Sequence, residues 1–138
     1  MPELPFFRRG NEGEAIMKLR IKGNSLRIRL TKSEVSKLAE IGYLEETTVF
    51  PNGLLVYTLQ KSNETSVLFA SFENNTIKMF VPNDFVKEWP GNNVVGIDSK
   101  MQLPNNELLY LLLEKDFVCL DETTEDQSDH FENPNKAC

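Results

Sequence analysis

The stretch MKLRIKGNSLRIRL, residues 17–30, contains two runs in which apolar and cationic side chains alternate. Alternation with a period of two residues is the pattern of a β-strand that buries one face. Gly23 and Asn24 separate the two runs, and Gly-Asn between alternating runs is a signal for a tight β-hairpin. The stretch therefore predicts a hairpin with one apolar face and one cationic face.

The cationic face of this hairpin collects five side chains, because antiparallel pairing places the cations of both strands on one surface. They are Lys18, Arg20, Lys22, Arg27 and Arg29. Like charges on facing strands repel one another, so a counter-charge is expected beside them. We take these five residues as a candidate anion-binding site, for which a phosphate backbone is one ligand. The structural alternative is a solvated sheet face, or one covered by the acidic end of the chain.

A helix and a second hairpin are predicted to follow. Residues 31–34, Thr-Lys-Ser-Glu, have the spacing of a capping box, which begins a helix. Apolar residues then recur every three or four positions up to Gly42, and glycine commonly ends helices. Residues 44–50 and 54–60 have the pattern of two strands around a Pro-Asn-Gly turn. The first half of the chain thus has the order ββαββ.

The second half of the chain repeats this order. The segment NTIKMFVP, residues 75–82, aligns with NSLRIRLT, residues 24–31, and the pattern continues through the following helix. We predict two ββαββ repeats, at about residues 17–60 and 66–115, with pseudo-twofold symmetry. Two such units give an α+β domain that contains an antiparallel sheet or a partly closed barrel with the helices outside.

Length and composition predict one domain with a tail at each end. The chain has 138 residues, of which 40% are hydrophobic, and at this size one core buries most of the apolar surface. We place the α+β domain at residues 17–117, an irregular arm at 1–16 and an acidic tail at 118–138. Met17 opens the first regular segment and is a candidate start codon. The acidic tail is poor in apolar residues, and we hypothesise that it folds back over the cationic face.

Charge and cysteine content argue against several classes of protein. A net charge of -6 and a pI near 4.9 argue against a surface that is basic throughout, as in many nucleic-acid-binding domains. No stretch approaches the ~18 consecutive apolar residues of a membrane helix. Cys119 and Cys138 are too few for a disulfide scaffold, and the first residues lack the apolar core of a secretion signal. These features predict a cytoplasmic protein.

The other chemically active residues match no complete catalytic or metal-binding pattern. Cys119, His130 and Cys138 have the ligand types of a zinc site but lack its spacing, and the acidic tail lacks the glycine of a calcium loop. Glu45 and Glu46 are adjacent and so point to opposite faces of a strand. We predict no catalytic residue, cofactor or metal. We expect the larger aromatic residues to fill the core: Phe69, Phe72, Phe80, Phe85, Trp89 and Tyr110.

Residues 21–35, IKGNSLRIRLTKSEV, resemble the N-terminal hairpin of the AbrB-type swapped-hairpin antitoxins, in which a Gly-Asn-Ser turn precedes an Arg-rich strand and a helix. That resemblance implies a dimer with interlocked hairpins that presents basic side chains to DNA. Over the whole α+β domain, the chain is similar to a family of small, uncharacterised bacterial proteins that open with MKLRIKGNSLR. This second resemblance implies a shared fold and no particular activity.

Three functions are compatible with the sequence. The first is a non-catalytic cytoplasmic interaction or regulatory protein that contacts a protein or another anionic partner through the cationic face. The second is DNA binding in the swapped-hairpin manner, which predicts strongly salt-dependent affinity and is compatible with a homodimer. The third is a metal-dependent enzyme that binds triphosphates between alternating charged side chains.

Overall fold

The structure, a computed structural model, describes residues 17–117 together with Asp129 and Phe131. The elements in this part of the chain are, in order, β1 (Lys18–Ile21), β2 (Ser25–Leu30), α1 (Lys32–Ile41), β3 (Tyr43–Phe50), β4 (Gly53–Ser62), β5 (Phe69–Glu73), β6 (Thr76–Pro82), α2 (Asn83–Glu88), β7 (Gly96–Gln102) and β8 (Leu108–Lys115). Short 3₁₀ turns lie at Trp89–Gly91 and Pro104–Asn106. The α+β class predicted from the sequence is confirmed.

The strands form two four-stranded sheets. Sheet A has the order β1-β2-β8-β7, and sheet B has the order β3-β4-β6-β5. The outer pairs are antiparallel, whereas the two inner pairs, β2 with β8 and β4 with β6, are parallel. The expected antiparallel sheet or partly closed barrel is therefore corrected to two mixed sheets, with no closed barrel among the described residues. Parallel pairs join strands that are distant in sequence, so no local turn pattern predicts them.

The order ββαββ occurs twice along the described chain, once around α1 and once around α2. Each sheet combines one hairpin from the first half with one from the second. Aligned positions also share their environment, since Ile28 and Met79 are both fully buried and so are Leu38 and Trp89. The duplication itself stays a prediction, because element order and burial alone do not establish that the halves superpose.

The first helix begins and ends where the sequence predicts. The Glu34 carboxylate accepts a hydrogen bond from the Thr31 amide at 3.0 Å, so the capping box is present. Gly42 ends α1 with a φ of 85°, and its amide donates to the Leu38 carbonyl at 2.8 Å. α1 has 10 residues and α2 has 6. No helix within the described residues is both long and apolar enough to cross a bilayer.

One hydrophobic core takes side chains from both sheets and from the helical segments. In β2, alternation points Ile28 and Leu30 inward, and both are fully buried. α1 adds Val35 and Leu38, three residues apart on one helical face. Trp89, directly after α2, is the largest fully buried side chain of the described residues. The core is thus assembled from the positions that the apolar periodicity predicts.

The aromatic residues are only partly internal. Phe85 packs on Trp89 with the ring centroids 4.9 Å apart. By contrast, Phe69, Phe72 and Tyr110 are 45%, 66% and 46% exposed. The expectation that all of the larger aromatic residues fill the core is therefore wrong for these three. They lie on strands near a sheet edge or a hairpin turn, where few other side chains cover them.

Two hydrogen bonds from strand side chains join the sheets near their edges. Ser99 of β7 donates its hydroxyl to the Leu68 carbonyl at 2.8 Å. Tyr57 of β4 donates its hydroxyl to the Met17 carbonyl at 2.9 Å, directly before β1 begins. The second bond places the start of the first hairpin beside sheet B.

Candidate functional site

The structure brings the predicted cations of the first hairpin onto one face. Lys18 pairs with Arg29 and Arg20 pairs with Arg27, so these four side chains lie on the same side of sheet A. Lys22 follows in the hairpin turn, where its backbone exchanges hydrogen bonds with Ser25 at 3.2 and 3.1 Å. We call the five cations the cationic face, as in the sequence analysis. The side chains of Lys18, Arg27 and Arg29 are 43%, 32% and 40% exposed.

Glu114 supplies a counter-charge to two of the three arginines of the cationic face, Arg27 and Arg29. β8 runs parallel to β2 with Glu114 opposite Arg29. One carboxylate oxygen of Glu114 lies 2.9 Å from Arg27 Nε and 2.8 Å from Arg29 Nε. Only Arg29 Nε donates a directed hydrogen bond, so the contact of Arg27 Nε is an ion pair without one. The guanidinium groups are held side by side on a half-buried carboxylate.

Asp116 supplies the second counter-charge. Its carboxylate lies 3.0 Å from Lys18 Nζ, and the residue is buried. The Asp116 amide donates to the Leu30 carbonyl at 2.8 Å, which fixes the residue at the end of β2. Neither Glu114 nor Asp116 was identified from the sequence as a partner of a particular cation. Both residues alternate with the buried Leu111 and Leu113, so the sequence pattern indicates that their side chains point outward. It does not indicate which strand they lie beside.

Arg20 and Lys22 differ from the other three cations. Both residues are exposed, and neither forms an ion pair with another described residue. Both belong to the strand and turn at the edge of sheet A. The positive charge of the cationic face that has no ion-pair partner within residues 17–117 therefore lies along this edge.

A cleft of about 510 Å³ lies against the same edge. Its lining includes cations from both strands of the hairpin, together with Leu19 of β1 and Tyr57 of sheet B. The complete lining is Met17, Lys18, Leu19, Arg20, Arg27, Arg29 and Tyr57. The cleft thus combines cationic, aromatic and aliphatic surface beside an edge strand.

At the edge opposite β1, strand β7 adds an acidic side chain to the face that carries the cations. β7 places Asp98 opposite Leu112 of β8, and Leu112 lies in turn beside Arg27 of β2. Lys100 lies two residues further along β7, beside Tyr110. Asp98 and Glu114 therefore share this face with the cations of the hairpin, and β7 contributes one cation to it, Lys100.

A second charged group lies at the start of α1. Burial raises the pKa of Glu34 to about 7, and the nearby carboxylates of Glu46 and Asp129 also raise it. The carboxylate of Asp129 accepts a 2.6 Å hydrogen bond from the Ser33 hydroxyl and a 3.3 Å bond from the Ser33 amide. The Lys32 amide donates to the Asp129 carbonyl at 3.1 Å. Asp129 therefore satisfies amide groups that an isolated helix start leaves unpaired.

Phe131 packs next to this group and covers a buried lysine. Its amide donates to the Asp116 carbonyl at 2.8 Å, and its ring meets Phe117 edge-on at 5.7 Å. Lys115 Nζ lies 4.8 Å from the centre of the Phe131 ring and donates to the Asn92 carbonyl at 2.8 Å. Burial lowers the pKa of Lys115. This aromatic contact was not anticipated from the sequence.

The hypothesis that the acidic tail folds over the cationic face is thus not supported by the two described tail residues, Asp129 and Phe131. They contact α1 and the end of β8 instead. The remainder of the tail, with Cys119, His130 and Cys138, lies outside the described residues, as does the arm at 1–16. Among the residues that are described, no three His, Cys, Asp or Glu side chains are grouped to hold a metal ion.

Two mixed sheets on one core, with a cationic face at the free edge of one sheet, define an α+β protein whose distinctive surface is a charged sheet edge. The chain belongs to a family of unknown function (DUF7009), whose model matches residues 17–135. No curated protein matches the chain, and no solved structure matches it. The predicted membership of an uncharacterised family is confirmed, whereas these comparisons show no resemblance to the AbrB-type antitoxins.

Proposed function

We propose that this chain is a non-catalytic, cytoplasmic interaction protein whose cationic face binds an anionic partner. The observation that carries the proposal is the position of Arg20 and Lys22, which are exposed at a sheet edge beside a cleft and form no ion pair with other described residues. Among the described residues, the ion pairs of these five cations involve two carboxylates, Glu114 and Asp116. A surface with such an excess attracts anions.

The fold does not require this charge. In the second hairpin, the segment that aligns with the cationic face retains Lys78 alone, and Lys78 lies 3.7 Å from Glu73. Both hairpins nevertheless bury the same inner positions. Because one hairpin folds with a nearly neutral outer face, packing does not account for the charge on the other.

Glu114 supports the proposal in a second way. It holds the guanidinium groups of Arg27 and Arg29 in one place through contacts of 2.9 and 2.8 Å. Side chains that are ordered before a partner arrives lose less entropy on binding. The two arginine side chains are therefore ordered in advance. Arg20 and Lys22, next to them, supply positive charge that no other described residue pairs with.

The test is the affinity for heparin, a flexible polyanion, measured by fluorescence anisotropy in low salt. We expect the double variant Arg20→Glu/Lys22→Glu to bind at least about tenfold more weakly than the unaltered chain. The control, Lys78→Glu/Lys87→Glu, makes the same change of net charge on the second hairpin and α2 and should leave affinity within about threefold. Equal affinity of the two double variants would overturn the proposal.

Duplex DNA is the second anion to measure, because the AbrB-type resemblance of residues 21–35 implies it. Glu114 already occupies Arg27 and Arg29, and Asp98 lies on the same face of the sheet, so a broad phosphate backbone meets two carboxylates there. We therefore expect a random 20-base-pair duplex to bind more weakly than heparin. Tighter binding of the duplex, lost on Arg27→Ala, would assign the cationic face to DNA instead.

A further inference from the structure

Strand β1 is an edge strand of sheet A, since β2 is its only neighbour among the described strands. The direction of its backbone groups follows from the turn. Lys22 and Ser25 exchange two hydrogen bonds and so form a hydrogen-bonded pair. In an antiparallel ladder such pairs alternate with non-bonded pairs. Arg20 and Lys18 are therefore bonded to β2, and the amide and carbonyl groups of Leu19 and Ile21 point to the free edge.

The other side of β2 confirms this alternation. The Asn24 carbonyl accepts from the Tyr110 amide at 3.0 Å, and the Leu30 carbonyl accepts from the Asp116 amide at 2.8 Å. Even-numbered residues along β2 therefore bond toward the β8 side, which leaves the odd-numbered ones for β1. The two sets of backbone bonds agree on which groups of the hairpin remain at the edge.

The outward backbone groups of Leu19 and Ile21 receive no hydrogen bond from another described residue. The side chain of Ile21 is also 56% exposed, on the face opposite to the cations. An edge with free amides and carbonyls is a template for pairing with another extended segment. Proteins that protect such an edge use charged side chains, and here the charges are all of one sign.

The side chains along β1 specify what that segment would carry. Lys18, Arg20 and Lys22 alternate with Leu19 and Ile21, so equivalent cations recur at about 7 Å along the edge. An extended peptide with acidic residues at alternate positions has the same repeat. Its acids would face the cations, and its intervening apolar side chains would lie on the opposite face of the sheet, which Leu19 and Ile21 share.

We propose that β1 accepts an extended acidic peptide segment of a partner protein as a fifth strand of sheet A. The inference rests on the proposed function, because the same cations supply the charge complementarity. It goes further in requiring backbone pairing at Leu19 and Ile21. A duplex or a glycan offers the charge without the backbone groups, which makes the two requirements separable by experiment.

The probe is a fluorescein-labelled octapeptide of alternating glutamate and valine, titrated with the full chain in low salt. We expect saturable binding that weakens at least about tenfold with Arg20→Glu/Lys22→Glu. A second peptide of the same sequence carries N-methyl groups on alternate amides, in either phase. One of the two methylated phases should lose at least about tenfold in affinity, because it removes the donors that face β1.

The matched variants of the chain are Ile21→Pro and Ile21→Thr. Proline at position 21 removes an outward amide while leaving the bonds between β1 and β2 in place, and edge strands tolerate it. We expect Ile21→Pro to abolish peptide binding and Ile21→Thr to retain it within about threefold. Heparin binding, which needs no backbone pairing, should be the same in both variants and thereby also reports that the cationic face is intact.

The outcomes separate the two proposals. If heparin binds through Arg20 and Lys22 but neither N-methylation nor Ile21→Pro weakens the octapeptide, strand addition is overturned and the anion-binding surface stands. If neither heparin nor the octapeptide binds, both proposals fail, and the charges of β1 serve only to keep the edge from pairing with other chains. Loss of peptide binding on N-methylation and on Ile21→Pro, with heparin unaffected, supports the fifth strand.

Discussion

The two hairpin–helix segments, residues 18–41 and 69–88, are alike on their inner sides and different on their outer sides. Ile28 and Met79 occupy aligned positions in β2 and β6 and are both fully buried. On the outer sides, Arg27 and Arg29 meet Glu114 from β8, whereas Lys78 lies opposite Thr58 of β4. The inner positions are constrained by the shared core, and the outer ones are free to carry a function.

The helix starts differ as well. α1 begins at a capping box in which Glu34 is buried, and Asp129 adds a carboxylate beside it. α2 begins after Pro82, with the exposed Asp84 in its first turn. The first segment therefore gathers ionisable groups at both ends of β2, while the second segment folds with few of them.

The inner sides of the two hairpin–helix segments should contribute similarly to the free energy of unfolding. We expect Ile28→Ala and Met79→Ala each to lower the free energy of unfolding by about 2–5 kcal/mol, because each leaves a cavity in the core. The measurement is urea unfolding followed by circular dichroism. Ile21→Ala, at a position that is 56% exposed, should cost under about 1 kcal/mol. A cost for Met79→Ala as small as that control would break the equivalence of the two segments.

The helix starts should respond differently to pH. Burial raises the pKa of Glu34 from 4.5 to about 7, so the folded chain binds this proton more tightly than the unfolded chain. The corresponding stability is complete below pH 4.5 and is lost as the pH rises through 7. Relative to Glu34→Gln, the unaltered chain should lose about 3 kcal/mol of unfolding free energy over that range.

Urea unfolding at pH 4.5, 6 and 8 measures this difference, and Gln retains the hydrogen-bond acceptor that the capping box needs. Asp84→Asn, in the first turn of α2, is the control and should retain the loss of stability that Glu34 causes between pH 4.5 and 8. Parallel pH profiles of the unaltered chain and Glu34→Gln would show that burial of this carboxyl has no thermodynamic consequence.

The outer sides should differ in their dependence on counter-charge. Glu114→Gln leaves Arg27 and Arg29 adjacent without a carboxylate, and we expect it to cost about 1–2 kcal/mol in low salt and less in 1 M salt. It should also strengthen heparin binding, since the cationic face gains net charge. Glu73→Gln removes the 3.7 Å partner of Lys78 and should cost under about 0.5 kcal/mol. Equal costs would mean that the Glu114 contacts are no stronger than an exposed pair.

The smallest expected effect concerns Asp129. Asp129→Asn retains the side-chain oxygen but removes the charge at the start of α1, and we expect a loss of about 0.5–1 kcal/mol at pH 8. Because the Asp129 charge raises the pKa of Glu34, the variant should also shift the midpoint of the pH dependence downward. Asp98→Asn, on the exposed β7, is the control. An unchanged midpoint would place Asp129 too far from Glu34 to influence it.

The sequence was sufficient wherever the determining interaction is local. Alternation around Gly23 and Asn24 predicted a hairpin with the cations of both strands on one face, and the Thr31 and Glu34 spacing predicted the start of α1. These features depend on residues within about a dozen positions of one another, where turn geometry and capping fix the outcome.

The counter-charges of the cationic face could not be predicted in the same way. Arg29 and Glu114 are 85 residues apart, and their contact depends on the parallel pairing of β2 with β8. No turn specifies that register, which is set by the packing of both sheets on the common core. The same reason applies to Phe131 on Lys115, where chain segments meet only after the core has formed.

The parallel pairing of β2 with β8 also bears on the synthesis of the chain. Sheet A cannot be completed until residues 108–115 have left the ribosome, because its two central strands come from opposite ends of the domain. Until then, the first hairpin lacks the two carboxylates that pair with Lys18, Arg27 and Arg29 in the folded domain, Glu114 and Asp116. The hairpin can therefore acquire these ion pairs, and its place in the core, only late in translation.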